Sequence, residues 1–183
     1  MFLIIENFHL FIYSFLLYIF IFILPITFYI KCKEKVSVLT YLKLKNNPLK
    51  QCFNGFLISL LFIILLIIKN MALGWKPLNF NLGILWISGL MVGILEEIPF
   101  RGFVLQKLLP RISFWSANLL TTITFITIHI PIWTYSNANL LSSVKSALIF
   151  SLMLGYLFKE YDSLWVPITC HSIFNLSIWI GLS

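Results

Sequence analysis

The chain has 183 residues, of which 60% are hydrophobic and only 10% are charged, and its mean hydropathy is +0.98. A soluble domain of this length does not have so apolar a composition, so that class is excluded and an integral membrane protein is indicated. The formal net charge of +7 does not indicate nucleic-acid binding, because six of the thirteen basic residues lie in one polar linker, between residues 31 and 50.

Six apolar runs are long enough to cross a hydrocarbon core of about 30 Å. They cover about residues 8 to 30, 54 to 73, 81 to 108, 113 to 131, 139 to 158 and 164 to 182. We therefore predict an all-α fold, a polytopic transmembrane bundle of about six membrane helices. The first run is interpreted as a retained helix and not as a signal peptide, because Glu6 is the only charge before it and no small-residue cleavage site follows it.

The polar linker predicts how the chain is oriented in the membrane. Its basic residues are Lys31, Lys33, Lys35, Lys43, Lys45 and Lys50. Basic loops stay in the cytoplasm, so the linker, Lys107, Arg111 and Lys159 are expected inside. The N-terminus, the C-terminus, Lys69 and Lys76 are then expected outside, which gives nine basic residues against two. We interpret the linker as a topology determinant that also touches anionic lipid, in preference to a binding site.

Three cysteines, Cys32, Cys52 and Cys170, show no metal-ligand spacing. We expect them to be reduced and structural. The sequence has no glycine-rich phosphate loop, no His-Glu-x-x-His zinc motif and no Gly-x-Ser-x-Gly elbow. No internal repeat is evident either.

Three charged residues lie inside the apolar stretch from about residue 82 to 109, namely Glu96, Glu97 and Arg101. One ionised side chain at the centre of a bilayer costs at least ~2.5–3.5 kcal/mol, so three within six residues indicate pairing and a polar cavity. Glu97 and Arg101 are four residues apart and can form an ion pair within one helix. Glu96 is turned about 100° away and can point into the bundle.

Two other features of this stretch bear on its structure. Pro99 predicts a kink that frees the carbonyl of Leu95, next to Glu96. Gly89 and Gly93 form a small-x-x-x-small pair, which predicts a close-packing seam for a neighbouring helix.

Two of the three histidines, His129 and His171, lie in predicted membrane helices, with Phe125 one turn before the first and Asn175 one turn after the second. Taken singly, such residues are more often interhelical hydrogen-bonding groups than catalysts. At about 1.5 Å per residue from the cytoplasmic ends of their helices, Glu96 is about 20 Å deep, His129 about 24 Å, His171 about 12 Å and Asn175 about 18 Å. All four fall within the hydrocarbon slab, and their coincidence favours a shared site.

Three motifs follow one another along the chain: Glu-Glu-x-x-x-Arg from Glu96, Phe-x-x-x-His from Phe125, and His-x-x-x-Asn from His171. Their order and spacing resemble the CAAX protease and bacteriocin-processing family, also called the Abi family, of intramembrane glutamate-dependent endopeptidases. The resemblance covers about residues 80 to 180. It divides the chain into residues 1–79, two N-terminal membrane helices with the basic linker, and residues 80–183, a protease core of about four membrane helices.

The resemblance implies a role for each motif residue. Glu96 and His129 would activate a water molecule, and His171 and Asn175 would form an oxyanion hole. Glu97, Arg101 and Phe125 would support them, Phe125 as a wall of the cavity. No cofactor and no metal is implied. The expected partners are a peptide or protein substrate in or near the membrane and membrane lipid, without nucleic acid.

Other functions remain open at this stage. Membrane Glu, His and Arg residues also build proton relays, although a proton-coupled transporter would usually show internal repeats. Two histidines and a glutamate could bind catalytic zinc. The protein could also confer bacteriocin self-immunity or act as a scaffold without catalysis. The abundance of Ile, Phe, Lys and Asn indicates an AT-rich bacterial genome, where protein prenylation is not expected, so peptide processing in a bacterial cell membrane is favoured.

Overall fold

The computed structural model describes residues 8–75 and 77–182, and every regular element in these ranges is helical. The α-helices are α1 (Phe8–Tyr18), α2 (Leu24–Tyr29), α3 (Val38–Tyr41), α4 (Pro48–Ala72), α5 (Leu85–Glu97), α6 (Gln106–Leu108), α7 (Phe114–Tyr135), α8 (Leu140–Tyr161) and α9 (Trp165–Trp179). Three π-helical segments continue these helices, at Ile19–Ile23, Ile30–Glu34 and Ile98–Leu105. The prediction of an all-α membrane bundle is confirmed.

Four helices in the described part of the chain are long and apolar enough to cross a membrane. They are Phe11–Glu34, Pro48–Ala72, Phe114–Tyr135 and Leu140–Tyr161. The other two predicted runs correspond to the rod from α5 to α6 and to α9. The first contains the charged cluster and is buried at every residue from 95 to 102, and α9 has only 15 residues. These two elements carry five of the predicted site residues, whereas Phe125 and His129 lie on the spanning helix α7.

Helix α9 packs against both α4 and α5. A Cβ atom at Gly93 would overlap Ser172 Oγ and the Ile168 carbonyl oxygen, and one at Gly89 would overlap the Leu176 side chain. Ser172 Oγ also donates a 2.8 Å hydrogen bond to the Leu90 carbonyl. The predicted small-residue seam is thus confirmed, and its partner is the helix that carries His171.

Helix α4 approaches α9 from another side. Gly55 lies against Thr169 and the Val166 carbonyl, and Cys170 Sγ donates to the Gly55 carbonyl at 3.4 Å. Cys170 is buried, Cys32 is exposed, and none of the three cysteines is in a disulfide. Close packing on both sides therefore fixes α9 as the central helix of the bundle.

The sequence predicts a kink at Pro99. In the structure the helix changes there from α-helical to π-helical, over Ile98–Leu105, with Pro99 in the first turn of the π-helical segment. Proline has no backbone N–H and cannot complete the α-helical hydrogen-bond ladder. Short π-helical segments inside α-helices are frequent at functional sites. The change begins directly after the two glutamates.

One end of the bundle gathers the basic residues, and we call it the basic end: the linker 31–50, residues 106–113 and residues 159–165. Lys107 pairs with Glu34, and Lys43 pairs with Asp162. Trp165 Nε1 donates to the Leu44 carbonyl at 2.8 Å. The linker is therefore tied to α6 and to the chain segment that follows α8, so all three share one end of the bundle.

Replacing Gly93 by Ala should destabilise the protein by about 1–3 kcal/mol, the usual cost of overpacking a core. For a chain of this size that corresponds to a melting temperature lowered by about 2–12 °C, measured by tryptophan fluorescence in detergent. The control is Leu90→Phe on the same helix, where the side chain is 53% exposed and a larger ring has room. Equal melting temperatures for Gly93→Ala and the wild type would contradict the close seam.

Candidate active site

A cavity of 530 Å³ lies between α4, α5, α7, α8 and α9. Five of the predicted site residues line it: Glu96, Phe125, His129, His171 and Asn175. The other two, Glu97 and Arg101, are fully buried behind its wall. The structure thus brings the three sequence motifs to one place and separates the two adjacent glutamates, as their helical spacing predicts.

The Glu96 carboxylate faces both histidines. Its Oε2 atom lies 3.4 Å from His129 Nε2 and 3.7 Å from His171 Nε2. All three side chains are at least nine-tenths buried and reach the cavity only at its inner end. A carboxylate and two imidazoles with ring nitrogens turned toward it form an arrangement that can take up and release protons.

The ring of His129 is held by its own helix. Its Nδ1 atom lies 2.7 Å from the Phe125 carbonyl oxygen. A carbonyl only accepts hydrogen bonds, so Nδ1 carries the hydrogen and donates it. In the neutral ring Nε2 is then the atom with the lone pair, and it is the atom nearest to Glu96. The Phe125 carbonyl therefore selects the tautomer that can accept a proton at the cavity.

Glu97 connects the charged cluster to the last helix. Its Oε1 atom accepts a 2.8 Å hydrogen bond from Arg101 Nη1 and a 2.6 Å hydrogen bond from His171 Nδ1. The sequence predicts the ion pair with Arg101 but not the contact with His171. Because His171 donates from Nδ1 to a carboxylate, its Nε2 atom is the one left facing Glu96 and the cavity.

Arg101 is anchored to α8 by a residue that no sequence motif marks. Its Nη2 atom donates to both the carbonyl oxygen of Ser151, at 2.8 Å, and Ser151 Oγ, at 2.6 Å. Ser151 Oγ in turn lies 2.9 Å from Thr122 Oγ1 on α7. Sequence reasoning missed Ser151 and Thr122, because a serine or threonine in an apolar helix carries no signal of its partner.

Aromatic rings form much of the wall around the histidines. The centroid of the Phe125 ring lies 4.2 Å from that of the His129 ring. The Arg101 guanidinium lies 5.5 Å from the same Phe125 centroid. Trp133 lies 5.6 Å from His129, and Phe150 lies 5.5 Å from His171, both measured between ring centroids. Phe125 lines the cavity, as do Trp133 and Phe150, which the sequence analysis does not single out.

In the part of the chain that the structure describes, no group of three or more His, Cys, Asp and Glu side chains is arranged to hold a metal ion. The residues nearest to such a set are Glu96, His129 and His171, whose facing atoms are 3.4 and 3.7 Å apart.

Replacing Arg101 by Ala should cost about 3–5 kcal/mol, because it leaves the buried Glu97 carboxylate without its counter-ion. The expected result is a large loss of thermal stability in detergent. Arg111→Ala, at an exposed position, is the matched control and should melt like the wild type. The double variant Glu97→Ala with Arg101→Ala should be more stable than Arg101→Ala alone. Equal melting of Arg101→Ala and Arg111→Ala would contradict the assigned ion pair.

Comparison with known proteins identifies the family of the chain. Residues 77–177 match the family model described as type II CAAX prenyl endopeptidase Rce1-like. No curated protein and no solved structure matches the chain. The matched segment covers more than half of the 183 residues and contains all three motifs. The chain belongs to the Rce1-like family of type II CAAX prenyl endopeptidases.

Proposed function

We propose that the protein is an intramembrane endopeptidase that hydrolyses a peptide bond in a membrane-associated peptide or protein with a water molecule activated by Glu96 and His129. The observation that carries the proposal is the 3.4 Å separation of Glu96 Oε2 and His129 Nε2 at the inner end of the cavity. Both atoms can accept a proton, and a water molecule beside them can hydrogen-bond to both.

In the proposed reaction the water gives one proton to the Glu96 carboxylate as its oxygen attacks the scissile carbonyl carbon. His129 Nε2 accepts a hydrogen bond from the second O–H and aligns the nucleophile, since its Nδ1 atom is held by the Phe125 carbonyl. When the tetrahedral intermediate collapses, the carbon–nitrogen bond breaks and the proton on Glu96 passes to the leaving amine. The glutamate is then restored as a carboxylate.

The oxyanion of that intermediate needs hydrogen-bond donors. Asn175 lines the cavity one helical turn after His171 and can donate from its side-chain amide. His171 can donate from Nε2 when the ring carries both protons, and Glu97 Oε1, 2.6 Å from Nδ1, then balances the imidazolium charge. This gives Glu97 a positioning role in addition to its ion pair.

The apolar residues in the walls of the cavity favour a peptide substrate with apolar side chains near the scissile bond. The apolar lining includes Val92, Ile132, Phe150, Phe174 and Ile178. Pockets of this composition bind apolar side chains, while a few polar groups orient the reacting atoms. Together with the bacterial character of the composition, this favours maturation of a hydrophobic peptide, such as a bacteriocin or signalling peptide.

Glu96→Ala and His129→Ala should each lower kcat by at least ~10²-fold, the low end for a lost general base. The measurement is cleavage of membrane-proximal peptides by the detergent-purified protein. Glu160→Ala removes an exposed carboxylate within the basic end, and this variant should cleave at the wild-type rate. Wild-type activity in Glu96→Ala would overturn the mechanism. Loss of cleavage on treatment with a strong zinc chelator would do so as well.

His171→Ala and Asn175→Ala should each lower kcat by ~10²–10³-fold if the side chains stabilise the oxyanion. Steady-state kinetics of each variant separate this role from substrate binding. A rise in KM with unchanged kcat would instead assign the residue to uniform binding of the substrate. Melting temperatures close to the wild type are required for either variant to be interpreted.

A further inference from the structure

The cavity extends from the catalytic groups to one end of the bundle. The residues at its rim are Lys69 at the end of α4, Ser136 directly after α7, Ser142, Ser143 and Ser146 in the first turns of α8, and Trp179 at the end of α9. All of these chain positions lie at the end opposite to the basic end. We call them the serine rim.

Toward the basic end the cavity is closed. None of the described residues of the basic end lines it. Beneath Glu96 the helices are joined by the buried contacts of Glu97, Arg101, Ser151 and Thr122, none of which is more than 1% exposed. A floor of buried and mutually bonded side chains separates the catalytic groups from the basic end, so a substrate reaches them from the serine rim.

The two ends differ in charge in a way that relates to membrane orientation. The basic end holds nine Lys and Arg residues, Lys31, Lys33, Lys35, Lys43, Lys45, Lys50, Lys107, Arg111 and Lys159. At the opposite end Lys69 and Lys145 are the basic residues that the structure describes. An excess of this size in short loops retains that end in the cytoplasm.

We propose that the catalytic cavity opens to the extracytoplasmic face of the membrane and takes a peptide segment presented at the outer surface. This inference rests on the proposed peptidase function and names where its substrate comes from. The hydroxyl groups of the serine rim suit a hydrated polar stretch of the peptide, and the apolar walls beyond them suit the residues around the scissile bond.

The charges of the residues that line the cavity restrict the class of substrate further. Glu96 is the acidic side chain among the lining residues and Lys69 the basic one, and the latter stands exposed at the rim. Lys69 therefore favours a neutral or acidic polar stretch at the rim, whereas the deeper part, which contains Glu96, favours an apolar stretch. The substrate class is an apolar peptide segment flanked by neutral or acidic residues on the extracytoplasmic side.

The test uses cysteine labelling, because the chain carries a reporter at each end. Cys32 is exposed within the basic end, and Cys170 is buried and stays in every variant. One protein retains Cys32 and carries Cys52→Ser. The other carries Cys32→Ser, Cys52→Ser and Ser142→Cys at the exposed serine rim. Both are treated with a membrane-impermeant maleimide in spheroplasts and in inverted membrane vesicles, and labelling in detergent measures the total reactive thiol.

The expected result is that Ser142→Cys is labelled in spheroplasts and loses that labelling in inverted vesicles, while Cys32 shows the reverse. Cys32 labelled in spheroplasts and Ser142→Cys only in inverted vesicles would overturn the proposal and leave a cytoplasmic substrate. Labelling of Ser142→Cys in detergent alone would overturn it too, since the rim would then be closed. Labelling does not require turnover, so an inactive enzyme would contradict the proposed function without affecting this result.

Discussion

A buried carboxylate that must be neutralised organises this bundle. Glu97 is fully buried and accepts hydrogen bonds from Arg101 on its own helical rod and from His171 on α9. Arg101 extends the connection to α8 through Ser151. Leaving any of these groups unpaired in a low-dielectric interior would be costly. Three helices are therefore held in register by one carboxylate, and the position of His171 is a consequence of that requirement.

The neighbouring carboxylate has a different environment, although only one peptide unit separates the two. Glu96 faces the cavity and is flanked by two imidazole nitrogens at 3.4 and 3.7 Å. A carboxylate bound to a permanent cation is a poor proton acceptor, whereas imidazoles can change their own protonation. Glu97 therefore holds the helices together, while Glu96 is placed to exchange protons in the cavity. One carboxylate could not do both.

Much of this could be predicted from the sequence, because it depends on spacing within single helices. The pairing of Glu97 with Arg101, the different direction of Glu96 and the glycine seam are all consequences of 3.6 residues per turn. Ser151, Thr122 and Phe150 could not be found in this way, since their roles arise from which helices become neighbours. The π-helical form of the chain after Glu97 and the shortness of α9 depend likewise on tertiary packing, which hydropathy does not report.

The Phe125 ring contacts both the buried guanidinium of Arg101 and the ring of His129 in the cavity. One contact is with the Arg101 guanidinium, 5.5 Å from the ring centroid, and the other is with the His129 ring at 4.2 Å. An ion pair is strong only while water is kept away from it, because the local dielectric sets its energy. Phe125 therefore covers the Arg101 side of the ion pair and separates the guanidinium from the His129 ring, so the connection between the ion pair and the cavity runs through His171 and its 2.6 Å hydrogen bond with Glu97.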